Sequence, residues 1–218
     1  MLAGPLVPHL GRVPTDNDEG GGPASFAHRW REAGLDALKT VAQEPRVERL
    51  TDNQVRVVIE SRLAGKAAGL RLRTAYEVDG LGGIRVGAVF ESDGKLPPLP
   101  RVGFQVQLPG TLGTAEWYGP GPHESYADRK RGARLGRFRA KVADLHFPHV
   151  MAQENGNRTD VRWVALTDAS GRGLRFSGEP FLDFTAHDYT DAALLAAKTS
   201  QVVERDGRVT LSLDLAQM

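Results

Sequence analysis

Short runs of strand-favouring residues, most of them ended by a glycine, set the tightest limit on how this chain can fold. From residue 47 onward the runs include VRVVIES, LRLRTAYEV, IRVGAVFES and VGFQVQL, and Asp79-Gly80 and Asp93-Gly94 each follow one of them. β-Branched and aromatic residues favour strands, and Asp-Gly pairs favour the tight turns of hairpins. The pattern therefore predicts a series of antiparallel strands.

The second half of the chain continues this pattern and adds little helix. RWVALTD, LRFSG and FLDFTAH read as strands, and Asp206-Gly207 is predicted to join SQVVER to RVTLSLDL in a closing hairpin. Residues 189–199 predict one short helix, and an apolar stripe within 23–42 predicts another, formed by Phe26, Trp30, Leu35, Leu38 and Val41. Because strands do not alternate with long helices, we predict one all-β domain over residues 1–218, a large antiparallel β-sandwich with one or two short helices.

Charge, cysteine count and hydropathy argue against several classes of function. The 28 basic and 27 acidic residues give a net charge of +1 without a Lys/Arg block, so no nucleic-acid partner is expected. The absence of cysteine excludes disulfides, thiolate zinc sites and cysteine nucleophiles. Apolar runs are too short to span a membrane, and the N-terminus lacks a signal-peptide pattern. We therefore expect a cytoplasmic protein with no membrane partner.

The stretch TDNDEGGG at residues 15–22 resembles the beginning of a calcium-binding loop. It lacks the glycine at the required offset and the closing bidentate glutamate, so no metal site is predicted. Short Asp and Asn side chains accept hydrogen bonds from neighbouring backbone amides, which favours a sharp turn after Pro14. The glycines at 20–22 indicate mobility or the close approach of another group.

Two further stretches, WYGPGPHESYADR at 117–129 and QENGNRTDVRWV at 153–164, concentrate polar and aromatic residues. Such segments either bind a sugar or form a corner whose polar groups satisfy one another, and the residues alone leave both readings open. Glu124 and Glu154 could form the carboxylate pair of a glycosidase, although structural Glu–Arg pairs are the commoner use of such residues. The candidate sugar contacts are Trp117, His123, Glu124 and Glu154. The six histidines show no metal-ligand spacing.

Six segments, taken in order, resemble the C-terminal domain of β-galactosidases of glycoside hydrolase family 2. They are VPTDNDEG, RWREAGLD, LPRVGFQVQLP, WYGPGPHESYADR, QENGNRTDVRWV and DYTDAALLAA, and the resemblance runs from about Gly4 to Gln217. It implies a galactose mutarotase-like supersandwich. It also implies a parent enzyme that hydrolyses terminal β-D-galactosides such as lactose with retention of configuration, with both catalytic glutamates in a preceding barrel domain. The isolated chain would then contain no catalytic residue and would be inactive in hydrolysis.

The resemblance also gives the acidic stretch a role. It implies a loop beside the active site of the barrel, formed by Glu19, Gly20, Gly21, Gly22, Pro23, Ala24 and Ser25, and anchored by Thr15, Asp16, Asn17 and Asp18. The Mg and Na ions of the family would be bound mainly outside this domain, so no cofactor or metal is expected in this chain. The expected partners are a galactoside substrate and the barrel and other domains of the parent enzyme, with a homo-oligomer as a further candidate.

The sequence departs from the family pattern most clearly at its end, where the family continues into a tail whose tryptophan lines the sugar site. The resemblance therefore implies a C-terminally truncated fragment with an exposed sheet edge. Two other functions stay open at this point. A free-standing aldose 1-epimerase (mutarotase)-like enzyme would pair His123 with Glu124 or Glu154 for proton transfer. A non-catalytic carbohydrate-binding module would need exposed rings such as those of Trp117 or Trp163.

Overall fold

Antiparallel strands dominate the fold, which a computed structural model describes for residues 2–66 and 68–218. The strands are β1 (Val7–His9), β2 (Lys39–Ala42), β3 (Arg46–Thr51), β4 (Gln54–Ala64), β5 (Gly69–Asp79), β6 (Ile84–Ser92), β7 (Arg101–Pro109), β8 (Thr114–Gly121), β9 (Arg134–Lys141), β10 (Arg158–Val161), β11 (Trp163–Thr167), β12 (Gly173–Phe176), β13 (Leu182–His187) and β14 (Arg208–Gln217). The α-helices are α1 (Asp16–Glu19), α2 (Phe26–Ala33) and α3 (Asp191–Ala196). The predicted all-β antiparallel class is confirmed.

The chain divides into two compact units. The first unit comprises Met1–Glu19 and Leu99–Met218, and the second unit comprises Gly20–Pro98. The first unit contains a five-stranded sheet, in the order β1-β7-β14-β13-β10, and a four-stranded sheet, in the order β12-β11-β8-β9. The second unit contains one sheet, in the order β2-β4-β5-β6, with β3 also paired to β4. The single domain predicted over 1–218 stays a prediction.

The two sheets of the first unit share one apolar core, as in a β-sandwich. Side chains alternate between the faces of a strand, so every second residue points into this core. The five-stranded sheet contributes Val106, Leu108, Phe184 and Leu211, and the four-stranded sheet contributes Trp117, Val164 and Leu166. The Trp117 ring lies 5.5 Å from the ring of Phe138 and 5.8 Å from that of Phe184. The core thus fixes strands β8 and β13, which lead into the segments discussed below.

In the second unit, the predicted helix within 23–42 is shorter than the apolar stripe suggests. Ser25 caps the start of α2 by accepting a hydrogen bond from the backbone N–H of His28. Gly34, at φ 75°, ends it, because this left-handed conformation stops a helix and suits glycine. The chain then continues into β2, so the prediction was wrong for residues 39–42.

Two further local predictions differ from the structure. The prediction of a closing hairpin is wrong, because β14 pairs with β7 and β13 rather than with residues 200–205. The stretch 117–129 begins inside β8 and becomes irregular only beyond Gly121. The helix predicted within 189–199 is confirmed as α3, which Thr190 caps by accepting from the backbone N–H of Ala193. None of the helices formed by the described residues has the length and hydropathy needed to cross a bilayer.

Candidate functional site

The predicted anchor, residues 15–18, consists of Thr15 and the first three residues of α1 and is held by local hydrogen bonds. The Asp18 carboxylate accepts from the backbone N–H of Thr15 at 2.9 Å, and the Thr15 hydroxyl accepts from the backbone N–H of Asp18 at 3.3 Å. The same buried carboxylate accepts from Nε and Nη2 of Arg12 at 3.0 and 2.6 Å. Because two hydrogen bonds join the planar groups, the arginine holds the anchor in one orientation.

A second set of contacts ties this anchor to the polar stretch at 153–164. Gln153 Oε1 accepts from the backbone N–H of Asp16 at 3.2 Å, and Gln153 Nε2 donates to the Asp16 carboxylate at 3.1 Å. The backbone N–H of Glu154 donates to the carbonyl of Val13 at 3.3 Å. Two stretches that lie far apart in sequence are therefore joined at one place in the first unit.

The predicted loop at 19–25 is an exposed turn that ends at the cap of α2. Gly21 and Gly22 have φ values of 97° and 60°, and a single 3₁₀ turn spans Gly22–Ala24. The Ser25 N–H donates to the carbonyl of Gly22 at 3.0 Å. Positive φ at two successive residues explains the glycines, since a side chain would be strained there. The predicted position of this loop beside an active site stays a prediction.

Glu154 lies in a buried ionic network around Arg101. The Arg101 side chain is 1% exposed; its Nη2 donates to Glu154 Oε1 at 2.8 Å and its Nη1 donates to Asp214 Oδ2 at 3.2 Å. Gln217 Nε2 donates to the same Glu154 oxygen at 3.3 Å. Both carboxylates are therefore held by groups on neighbouring strands β7 and β14, and Glu154 is engaged in a structural pair.

This network continues to a histidine and an aspartate at its edge. His9 Nε2 lies 2.9 Å from the carboxylate of Asp191, and Gln105 Nε2 donates to that carboxylate at 3.2 Å. Arg101 Nη1 lies 3.4 Å from His9 Nδ1. Because a guanidinium only donates, Nδ1 must offer its lone pair, and the proton of a neutral His9 then lies on Nε2, facing Asp191.

Burial governs the ionisation of the groups in this network. Burial raises the pKa of the Asp214 carboxyl to about 6. It also raises the pKa of Glu154, although the nearby charge of Arg101 acts to lower it. Burial alone would lower the pKa of Arg101, but the charges of Asp214 and Glu154 more than offset it and raise the pKa above the usual value. The network is therefore stable as an ion-pair cluster only while Arg101 is present.

The other candidate sugar contacts have different surroundings. The Glu124 carboxylate accepts from the backbone N–H of Gly156 at 2.6 Å and from Arg129 at 2.5 Å, with its side chain 5% exposed. Trp117 is 1% exposed in the core and donates from Nε1 to the carbonyl of Pro120 at 3.0 Å, which leaves no ring face for a sugar. His123 is exposed. Trp163 is partly buried, and the guanidinium of Arg175 lies 4.5 Å from its ring centroid.

A second buried polar cluster, around His187, is absent from the sequence-based predictions. His187 Nε2 lies 3.0 Å from the carbonyl of Asn155, and its ring stacks on Tyr189 at 4.4 Å. The Tyr189 hydroxyl lies 2.8 Å from His146 Nδ1, and Asn155 Nδ2 donates to the same hydroxyl at 3.1 Å. Burial lowers the pKa of His187 to about 4, so the ring is neutral and donates from Nε2.

Neither metal coordination nor an obvious cleft is associated with these clusters. Within residues 2–66 and 68–218, no three His, Asp or Glu side chains are arranged to hold a metal ion. Two concavities stand out, of about 640 and 450 Å³, and both are lined by residues of the second unit. The larger one lies over the sheet and is lined by Val41, Gln43, Glu60, Ser61, Arg62, Arg71, Leu72, Arg73, Val89 and Glu91. The candidate residues of 117–129 line neither.

Comparison with known proteins finds one family over the whole chain. The family model described as beta galactosidase small chain matches residues 1–218. Among curated proteins, a beta-galactosidase of Vibrio cholerae serotype O1 is 32% identical over 224 residues, covering 100% of this chain. A beta-galactosidase of Priestia megaterium is 30% identical over 219 residues, also covering 100% of this chain. One of Lactobacillus delbrueckii subsp. bulgaricus is 37% identical over 188 residues, covering 85% of it.

The relatives are much longer than this chain. The matched region makes up 21%, 20% and 18% of the Vibrio, Priestia and Lactobacillus proteins, respectively. The chain thus spans about a fifth of the length of the relatives that it matches, and it corresponds to one part of each of those proteins.

Proposed function

Because the chain belongs to the β-galactosidase small-chain family, we propose that it is the C-terminal domain of a β-galactosidase that hydrolyses terminal β-D-galactosides such as lactose. The observation that carries this proposal is the family match over residues 1–218, together with relatives that carry this activity in their names and are about five times as long. In this proposal, hydrolysis takes place in a barrel domain outside this chain. The role of the chain is to support that active site.

The surroundings of the two glutamates support this division of labour. A nucleophile or general acid must reach the glycosidic bond, and a retaining enzyme needs two carboxyl groups about 5 Å apart on either side of it. Glu154 is held by Arg101 and Gln217, and Glu124 is held by Arg129 and the Gly156 amide. Both carboxylates thus serve the fold, which favours catalytic glutamates elsewhere in the enzyme.

The loop at 19–25 is the part of the chain that we assign to the substrate side. Its backbone is exposed at Gly20, Gly21 and Gly22, and the Arg12–Asp18 pair immediately precedes it. An anchored base with a glycine-rich tip suits a loop that moves while its origin stays fixed. The proposal also includes a cytoplasmic location, Mg and Na ions bound outside this chain, and the other domains of the enzyme as partners.

Hydrolysis of a chromogenic β-galactoside tests the proposal, with mutarotation of galactose followed by polarimetry on the same samples. The samples are the 218-residue chain, the whole enzyme, and the whole enzyme without this domain. We expect hydrolysis only from the whole enzyme. Hydrolysis by the repurified 218-residue chain would contradict our placement of the catalytic glutamates, and mutarotation by that chain would favour the epimerase-like alternative.

The role of the loop is tested with two matched glycine variants of the whole enzyme. Gly21 and Gly82 have φ values of 97° and 90°, and an added methyl group meets no atom closer than 4.0 Å at either position. Gly21→Ala and Gly82→Ala should therefore cost similar stability, about 1 kcal/mol, through the backbone alone. We expect only Gly21→Ala to change KM or kcat. Equal kinetic effects of both variants would remove the loop from the substrate side.

A further inference from the structure

The sheet of the second unit has one charged face and one apolar face. Along β4, one side carries Arg56, Val58, Glu60 and Arg62 and is mostly charged, and the other carries Val55, Val57, Ile59, Ser61 and Leu63 and is mostly apolar. The cross-strand register extends this division, because residues directly opposite each other share a face. The first side is called the charged face here, and the second the apolar face.

The charged face is satisfied by its own ion pairs. Arg56 lies 2.8 Å from Glu77 and 3.5 Å from Glu48, and Arg46 lies 3.1 Å from Glu60. These side chains are partly or largely exposed, as is usual for surface pairs that remain hydrated. The charged face therefore has the chemistry of a surface in contact with water.

One end of the apolar face is covered within the chain itself. Leu63, Leu70 and Leu72 point to this face and are 2–3% exposed. Thr74, next along β5 on the same face, is 4% exposed. This end of the face therefore forms part of an interior.

The other end of the apolar face is open to solvent. The register places Val47, Val57, Tyr76 and Val86 in one row across four strands, and Val55, Val78 and Ile84 in the adjacent row. These seven residues are called the apolar rows. Val47 is 70% exposed, Ile84 62%, Val86 38% and Val78 37%. The register also places Arg49 opposite Val55, at the β3 end of the second row, where its guanidinium is paired with Asp52 at 2.9 Å. Apart from this charge at its edge, the patch is apolar, and it continues the face whose other end is buried.

We propose that the apolar rows are the docking surface for another domain of the same β-galactosidase; this inference rests on the function proposed above. Contiguous exposed apolar surface marks an interaction site, and permanent interfaces resemble a domain core cut in two. The chain spans about a fifth of the length of its relatives, so an enzyme of their size has other domains available to cover this surface. The expected partner surface is mainly apolar, because the one charge that borders the rows, Arg49, is already paired with Asp52.

A sugar and a second copy of the chain are the alternative occupants; the chemistry of the rows disfavours the first, and experiment separates the second. A sugar requires several hydrogen-bond donors and acceptors, and the phenol of Tyr76 is the one such side chain in the rows. A second copy of the chain would also bury apolar surface. A second copy would cover the rows in the isolated chain as well as in the enzyme, whereas another domain would cover them only in the enzyme. Labelling of the isolated chain therefore separates the two cases.

Thiol labelling of the whole enzyme tests the proposal, since this chain has no cysteine of its own. Ile84→Cys reports on the apolar rows. Val89→Cys is its matched control, because Val89 lies on β6 as well, on the opposite face, and is 53% exposed. Leu81→Cys, at a 97% exposed loop position, sets the unhindered rate. Labelling with a maleimide is followed by mass spectrometry of the peptide that contains each position.

We expect position 84 to be labelled at least tenfold more slowly than position 89. The labelling rate at position 89 should be close to that at position 81. Equal fast labelling at all three positions would overturn the proposal. Equal slow labelling at 84 and 89 would also overturn it, because the partner would then cover the strand rather than one face. Slow labelling at 84 in the isolated 218-residue chain that depends on protein concentration would assign the rows to a second copy instead.

Galactoside hydrolysis by the same unlabelled variants separates this inference from the proposed function. If the whole enzyme hydrolyses the galactoside and position 84 is labelled quickly, the docking surface is wrong and the function stands. If the enzyme does not hydrolyse galactosides, the function is wrong whatever the labelling shows.

Discussion

The two units place charged and apolar side chains in opposite ways. In the first unit an arginine and two carboxylates are buried, whereas in the second unit several valines and an isoleucine are exposed to solvent. Arg101, Glu154 and Asp214 are 2%, 6% and 0% exposed, and the arginine is paired with both carboxylates inside the unit. The apolar rows of the second unit have no such partner among the described residues. The ion pairs of the first arrangement are made within the unit, whereas the second arrangement calls for a surface from outside the chain.

This contrast separates residues that hold the fold from residues that are available to a partner. A buried ion pair contributes little net stability, but removing one member leaves an uncompensated charge and is costly. An exposed valine contributes little to the fold, and its removal has little effect until a partner covers it. Perturbing the first set should therefore change folding, and perturbing the second should change assembly.

Replacing Arg101 should give the largest loss of stability. Arg101→Met leaves Glu154 and Asp214 buried without a cation, so we expect the free energy of unfolding at pH 7 to fall by about 3–5 kcal/mol. Urea denaturation measures this change. Arg46→Met removes an exposed ion pair, with side chains 72% and 47% exposed, and should cost less than about 1 kcal/mol. Equal losses for the two variants would mean that the buried carboxylates do not depend on Arg101.

Acid should destabilise the fold through His187. Its folded pKa is about 4, below the 6.5 of an ordinary histidine, so the unfolded chain binds this proton more readily. The resulting loss in the free energy of unfolding is absent above pH 6.5, grows as the pH falls below 6.5, and reaches about 3 kcal/mol near pH 4. His187→Gln keeps a donor for the Asn155 carbonyl and cannot be protonated.

The measurement is the free energy of unfolding of both proteins between pH 4 and pH 8. The curves should run parallel above pH 6.5, and the wild-type curve should fall more steeply below it. Asp214 titrates in the same range with the opposite sign, because its raised pKa favours folding as it becomes protonated. It is present in both proteins, so the difference between the curves isolates His187. Parallel curves down to pH 4 would contradict a buried neutral ring.

Within the anchor, the two aspartates should differ in their effect on stability. Asp18→Asn removes the charge that Arg12 contacts and should cost about 2 kcal/mol, as for hydrogen bonds between charged groups. Asp16→Asn affects an exposed side chain that contacts Gln153 and should cost less than about 0.5 kcal/mol. Thermal unfolding of the two variants measures the difference. The assignment of the anchor to Asp18 fails if the order is reversed.

The strands that the sequence predicts correctly are those with local signals. In β4, β5 and β6, alternating apolar residues and the Asp79-Gly80 turn act together, and the three strands pair in sequence order. β9 was missed because RLGRFRAK has few apolar residues to mark a buried face. The partner of β14 was wrong because a local Asp-Gly signal suggested a hairpin, whereas its pairing with β7 joins residues about 100 positions apart.

The buried networks could not be predicted because their members are scattered along the sequence. Asp214 lies in LSLDL, where alternation suggests that serine and aspartate face water. The register of β14 against β7 instead places Asp214 opposite Gly103 and Gln217 opposite Arg101, so the polar face is buried as well. Only long-range pairing brings these residues together. The family resemblance, by contrast, rests on contiguous motifs and was found without the structure.

Substitutions on the apolar rows should change the stability of the 218-residue chain least. Ile84→Thr and Val89→Thr keep β-branching, and both positions are more than half exposed, so each should change the free energy of unfolding by less than about 0.5 kcal/mol. Leu72→Ala, at the covered end of the same face, should cost about 2–4 kcal/mol. Urea denaturation compares the three variants. A large loss for Ile84→Thr alone would mean that the chain packs against its own apolar rows, and no external domain would then be needed to cover them.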